Sequence, residues 1–224
     1  MRELESALRN GLADLSLALD DRQIGLLLDY LALIGKWTQV YNLTSVRDPV
    51  EMLTHHLLDS LAVVPALRRQ LAELPVPAPG EDAAKLRLLD VGSGAGLPGV
   101  VIAICCPEIM VDCVDTVAKK VAFIRQAAAT LRLANLHGLH ARVESLTEPY
   151  QVIGARAFAS LVDFTRLSMA ALAPQGIWLA MKAKNPADEI AGLPAQVQVF
   201  HVERLLVPGL HAERCIVWMR AVAA

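Results

Sequence analysis

The segment Leu88-Leu89-Asp90-Val91-Gly92-Ser93-Gly94-Ala95-Gly96-Leu97-Pro98-Gly99 constrains this chain more than any other part of it. An apolar run ends in a loop with four glycines, and a second apolar run, Val100 to Cys106, follows at once. Glycine lets a backbone approach a ligand closely, and the start of the following helix offers unpaired N–H groups to it. The spacing therefore predicts a strand, a turn that cradles a nucleotide-type cofactor, and a helix.

On either side of this loop the hydrophobic period differs. Ahead of it the chain reads as helical, with Leu4, Leu8, Leu12 and Leu15 marking a short helix and Ile24, Leu27, Leu28, Leu31 and Ile34 a second. Asp20 and Gln23 match a capping box before that second helix. Asp48-Pro49-Val50-Glu51 combines an N-cap, a first-turn proline and an acidic third position, which predicts a helix carrying His55 to Ser60. Residues 74–85 hold three prolines, a glycine and charges, the composition of an exposed linker. This divides the chain into a helical extension (1–73), the linker (74–85) and an α/β domain (86–224). In that domain LRLLDV, IMVDCVD, GLHARV, YQVIGARAF and GIWLAMKA read as strands, with helices expected from about Ala118 to Leu133 and around Phe164 to Leu172. Such alternation implies a mostly parallel sheet with helices on both faces. AQVQVFHVERLLV and ERCIVWMRA, joined through Pro208-Gly209, are expected to close it.

Composition removes several classes. At 54% hydrophobic residues the chain can bury a core, yet its longest apolar stretch, Val100 to Cys106, is far below the about 20 residues a bilayer demands. Arg2, Glu3, Glu5, Arg9 and Asp14 interrupt the first residues, unlike a signal peptide, so a cytoplasmic protein is expected. Cys105, Cys106, Cys113 and Cys215 lack C-x-x-C spacing and read as buried thiols, and His56 with Asp59 supplies only two candidate ligands, so no metal site is expected. A formal charge of −2 leaves nucleic-acid binding to local patches. The clearest runs from Thr116 to Val143, with Lys119, Lys120, Arg125, Arg132 and Arg142 and no Asp or Glu.

The glycines alone admit two cofactors. Gly94-x-Gly96-x-x-Gly99 with Asp115 about 20 residues on fits a nicotinamide dinucleotide, and Asp115 suits the ribose hydroxyls of any nucleoside cofactor. Asp90 directly before Val91-Gly92-x-Gly94 instead resembles the first motif of class I methyltransferases, which use S-adenosylmethionine.

Reading outward, the chain resembles the glucose-inhibited division protein B family of 16S ribosomal RNA guanine-N7 methyltransferases. The resemblance covers nearly the whole length. Its segments are Trp37 with Tyr41-Asn42-Leu43-Thr44-Ser45-Val46-Arg47-Asp48-Pro49, His56-Leu57-Leu58-Asp59-Ser60, the glycine loop, Arg156-Ala157-Phe158-Ala159-Ser160 and Met181-Lys182. It implies a Rossmann-like class I fold with a mostly parallel seven-stranded sheet behind a helical N-terminal extension. The cofactor implied is S-adenosylmethionine, held through Asp90, Gly92, Gly94, Gly96, Leu97, Asp115, Val143, Glu144 and Arg156. The partner implied is 16S ribosomal RNA or the small subunit, with Lys36, Arg47, His55, His56, Lys119, Lys120, Arg125, Arg156 and Lys182 as candidate contacts. His55 stands where the family often has Arg, Ala155 where Ser commonly precedes the arginine, and Ala183 where Gly commonly follows the lysine.

Guanine N7 carries a free lone pair and no hydrogen, so methylation there needs alignment and no acid–base residue. The rival readings are an NAD-linked oxidoreductase and a non-catalytic RNA-binding or assembly module. Trp37 and Tyr41, four apart on one helical face, read as core more readily than as a base-stacking platform.

Overall fold

A computed structural model describes residues 2–73 and 86–222. The linker expected at 74–85 lies outside the described residues.

Two helices open the chain, α1 (Arg2–Asp14) and α2 (Asp21–Tyr41). The capping box forms as its spacing predicts: Asp20 Oδ1 accepts from the Gln23 N–H at 2.7 Å, and the Gln23 side chain accepts from the Asp20 N–H at 3.2 Å. Asp48 likewise caps α3 (Pro49–Met52), accepting from the Val50 and Glu51 N–H groups. The helix then widens into a π-helical stretch, Leu53–Leu58, before α4 (Asp59–Leu61) and α5 (Val63–Glu73). The sequence predicts the helix through His55 to Ser60 but not its π geometry, which is frequent near functional sites.

The remainder builds one sheet from β1 (Arg87–Val91), β2 (Met110–Asp115), β3 (Leu136–His140), β4 (Tyr150–Arg156), β5 (Leu172–Lys182), β6 (Val197–Leu205) and β7 (Arg214–Ala221). Its order is β3-β2-β1-β4-β5-β7-β6, parallel throughout except for β7, which runs antiparallel to both neighbours. Helices α6 (Gly99–Cys105), α7 (Ala118–Thr130), α8 (Leu161–Ser168) and α9 (Ala187–Ala191) fill the connections.

Alternate strand residues point to opposite faces. Leu88, Val111, Val152 and Ile177 enter one core with α6, α7 and the N-terminal helices, where Leu27, Ile34, Leu57 and Leu61 are fully buried. Leu89, Ile153, Trp178 and Val217 enter the other, under Leu161 and Phe164 of α8. The extension thus shares a continuous hydrophobic core with the α/β part.

Three expectations need correction, and one helix is additional. The third strand begins at Leu136 and ends at His140, so Val143 and Glu144 lie in a 3₁₀ turn beyond it. Helix α7 stops at Thr130 because Arg132 takes φ +55 and the Leu133 N–H turns back to the Ala128 carbonyl. The helix expected around Phe164 to Leu172 spans Leu161–Ser168, capped by the Ser160 hydroxyl, and Leu172 already opens β5. Short α9 carries no clear apolar stripe and was not expected.

Candidate functional site

The sheet places its chemistry between β1 and β4. Strand order reverses there, so the connections after the two strands diverge and leave a crevice at their C-terminal ends. The glycine loop follows β1, and Arg156 with Ala157 and Phe158 follows β4.

The loop is held from several sides. Gly92 and Ser93 donate to the Val114 carbonyl at 2.9 and 3.2 Å, and the Gly94 N–H donates to Asp115 Oδ2 at 3.0 Å. Underneath, the Gly99 N–H donates to Asp90 Oδ2 at 2.9 Å. From the extension, fully buried Tyr30 donates its hydroxyl to the Ala95 carbonyl, with the Gly96 carbonyl within 3.2 Å. Gly94 has φ +59, and a Cβ there would meet nothing nearer than the Gly92 carbonyl at 3.9 Å. The loop therefore shows bare backbone on that side. At Gly92, φ +65, a Cβ would lie 2.5 Å from the Phe158 ring, so the segment after β4 packs on the loop.

A cavity of about 560 Å³ opens here. Of the residues the sequence nominates, it gathers Gly92, Gly94, Leu97, His55, His56, Arg156 and Lys182. Others stand apart. Asp90 is wholly buried beneath the loop, and Gly96 turns toward Val100 and Tyr30. Asp115 sits at the end of β2, accepting from Gly94 and, through Oδ1, from Val117 at 2.8 Å, with Lys120 Nζ 3.7 Å away. Val143 is buried and Glu144 exposed in the turn after β3. Lys36 is exposed on α2, Arg47 donates to the Asn42 side chain, and Lys119 reaches the Tyr41 carbonyl at 3.5 Å. Arg125 donates to the Gly138 carbonyl in the middle of β3, away from the strand ends. Trp37 packs edge-on against Phe123 of α7, ring centroids 5.3 Å apart, whereas Tyr41 is 47% exposed.

Charge in the cavity is organised by partners that the sequence does not reveal. Arg156 Nη1 donates to Asp59 Oδ2 at 2.8 Å and to the His55 carbonyl at 3.0 Å, and Arg214 Nε donates to Asp59 Oδ1 at 2.7 Å. Lys182 Nζ pairs with Glu189 of α9 at 2.8 Å. His56 Nε2 faces the Thr44 hydroxyl at 2.9 Å, and burial, then nearby Arg156, holds its pKa below the ordinary histidine value. Burial pushes the Asp90 carboxyl up to about 7, against the lowering effect of the Gly99 N–H. The sequence offers no signal for Tyr30 or Arg214, and it names Asp59 and Phe158 without their partners, because these roles arise from contacts across 65 to 155 residues.

A glycine loop at the switch point of a seven-stranded sheet with one antiparallel strand defines a protein of the class I methyltransferase fold. Solved structures support that class. TrmN from Thermus thermophilus matches with a TM-score of 0.54 and 20% identity, covering 76% of this chain and 53% of that one. A SAM dependent methyltransferase from Aquifex aeolicus matches with a TM-score of 0.51 and 15% identity, covering 78% and 99%. The chain belongs to the GidB family, rRNA small subunit methyltransferase G, whose family model matches residues 23–217. It is 80% identical over 223 residues to the ribosomal RNA small subunit methyltransferase G of Albidiferax ferrireducens, with 100% of both chains covered. It is 66% identical over 222 residues to the protein of that name from Acidovorax sp., covering 98% of this chain and 96% of that one.

The cofactor of this class is S-adenosylmethionine, and the residues present fit it. The bare face at Gly94 admits close approach, Asp115 keeps spare lone pairs on both oxygens, and about 560 Å³ suits a nucleoside-sized ligand.

Proposed function

We propose that this protein transfers a methyl group from S-adenosylmethionine to N7 of a specific guanine in 16S ribosomal RNA. The observation that carries the reading is one cavity uniting the glycine loop with the cations Arg156, Lys182 and Arg214 at the strand ends, in a chain of net charge −2. When bound, the cofactor supplies an electrophilic methyl on a sulfonium centre. The chain's part is to hold the loop open through Asp90, Tyr30 and Asp115, and to admit a base beside it. N7 attacks with its own lone pair, so alignment is the main resource and no residue serves as general base.

For the cofactor we propose Asp90, Gly92, Gly94, Gly96, Leu97, Asp115, Val143, Glu144 and Arg156, with Asp90 and Gly96 acting through the loop's shape. For RNA we propose His55, His56, Arg156 and Lys182 at the cavity and Lys36, Arg47, Lys119 and Lys120 around it. Arg125 falls on a separate flank of the sheet and would meet only RNA that extends past β3. The small ribosomal subunit, or its RNA, is the substrate, and the cytoplasm is the setting. No helix among the described residues is long and apolar enough to cross a membrane.

The test is transfer of labelled methyl from S-adenosylmethionine to small subunits from a strain lacking this protein, with chemical-cleavage mapping of 7-methylguanosine. One modified guanine in 16S RNA is the expected result. Cofactor binding without transfer counts against the substrate proposed.

A further inference from the structure

Asp59 is a carboxylate of the helical extension, 3% exposed, gripped by two arginines of the α/β part, from β4 and β7. Its oxygens serve different partners, Oδ2 the end of β4 through Arg156 and Oδ1 the start of β7 through Arg214. One carboxylate between two guanidinium groups leaves one net positive charge. Both arginines line the cavity, and so does Lys182, while Asp59 is the sole carboxylate among the lining residues.

The guanidinium groups also keep unused donors. Each has five N–H bonds. Arg156 uses both at Nη1, on Asp59 and the His55 carbonyl; Arg214 uses Nε on Asp59 and one at Nη1 on the Glu213 carbonyl. Three therefore remain on each among the described contacts. Beside them His56, only 7% exposed, lines the same cavity with its Nε2 on the Thr44 hydroxyl.

We propose that Arg156 and Arg214, oriented by Asp59, form a seat for an oxyanion in this cavity, with Asp59 as the positioning residue. A planar fork reads an oxyanion through paired N–H bonds, and anchoring the forks beforehand lowers the ordering cost of binding. The identity of the oxyanion rests on the methyl-transfer reading, which offers two: the carboxylate at the cofactor's amino-acid end, and a phosphate of the RNA.

The test uses the full chain, with Asp59→Asn and Arg214→Gln beside the unaltered protein. Affinity is measured for S-adenosylmethionine, for 5′-methylthioadenosine, which lacks the amino-acid end, and for unmodified small subunits. If the seat takes the carboxylate, both variants bind S-adenosylmethionine about tenfold or more weakly and bind 5′-methylthioadenosine as before. If it takes a phosphate, cofactor affinity stays within about twofold, subunit binding weakens about tenfold, and Arg214→Gln lowers the salt dependence by about one phosphate contact. The proposal is overturned if both affinities stay within about twofold in both variants. It is equally overturned if S-adenosylmethionine and 5′-methylthioadenosine weaken together, which marks a collapsed cavity. Should Asp59→Asn fail to fold, Arg214→Gln, on a partly exposed side chain, decides alone. Should the unaltered protein bind the cofactor yet neither bind nor methylate subunits, the substrate reading fails, and the seat is then judged on the two cofactor affinities, where no selective loss refutes it.

Discussion

Asp90→Asn reverses its effect on stability between acid and alkaline pH. Asp90 is 0% exposed, its Oδ2 accepts the Gly99 N–H at 2.9 Å, and its Oδ1 has no partner. Burial raises its pKa from the ordinary value near 4 to about 7. The folded protein therefore holds a proton on Asp90 that the unfolded chain releases at lower pH. Stability from this group is fully present below about pH 4 and is lost as pH rises through about 7, a total of roughly 4 kcal/mol. Asparagine keeps the acceptor for Gly99 but does not titrate, and its amide N–H₂ replaces the unpartnered oxygen at a cost of about 1–3 kcal/mol. The variant should accordingly be less stable than wild type by about 1–3 kcal/mol near pH 3.5 and more stable by a similar amount near pH 8. Urea unfolding of both proteins across that range, without cofactor, measures the difference, and titrations elsewhere cancel in it. A difference that stays flat, or in which wild type gains on the variant as pH rises, refutes the reasoning.

Gly92→Asp should abolish binding of S-adenosylmethionine in a calorimetric titration, since its Cβ would lie 2.5 Å from Phe158, its φ of +65 strains a side chain, and a carboxylate would enter the loop. Tyr30→Phe removes the hydroxyl that holds the Ala95 carbonyl and should cost about 1–2 kcal/mol in urea unfolding, with cofactor affinity several-fold weaker. Lys182→Ala should lower kcat/KM for small subunits about tenfold and leave cofactor affinity unchanged, because its amine meets Glu189 and the cavity but not the glycine loop. Leu27→Ala, at a fully buried position of α2, should cost about 2–5 kcal/mol and shift one shared transition seen by circular dichroism and tryptophan fluorescence; two separated transitions would contradict the common core.

Local signals carried most of the architecture. The caps at Asp20 and Asp48 act within three residues, so spacing alone locates the starts of α2 and α3. Five parallel strands follow from short apolar runs set between helices, and the Asp90 to Gly99 loop announces a nucleoside-type cofactor, without choosing which, through glycines whose bare backbone serves the site. Element ends were harder to place. The stop of α7 depends on one residue at positive φ, and β3 lies two residues earlier than its apolar pattern suggests, because edge position lets His137 and His140 face solvent.

Period, caps and glycines are consequences of bonds between near neighbours, so the chain's residues specified a helical extension, an α/β sheet and a nucleoside-cofactor loop without reference to the rest. Which carboxylate meets which cation was decided by the tertiary structure alone. Asp59 reaches Arg156 and Arg214 across 97 and 155 residues, Lys182 finds Glu189 on an unforeseen helix, and Asp90 lies under the loop it introduces. Ion pairing is set by distance in space, and only the packing of the extension onto the sheet creates those distances.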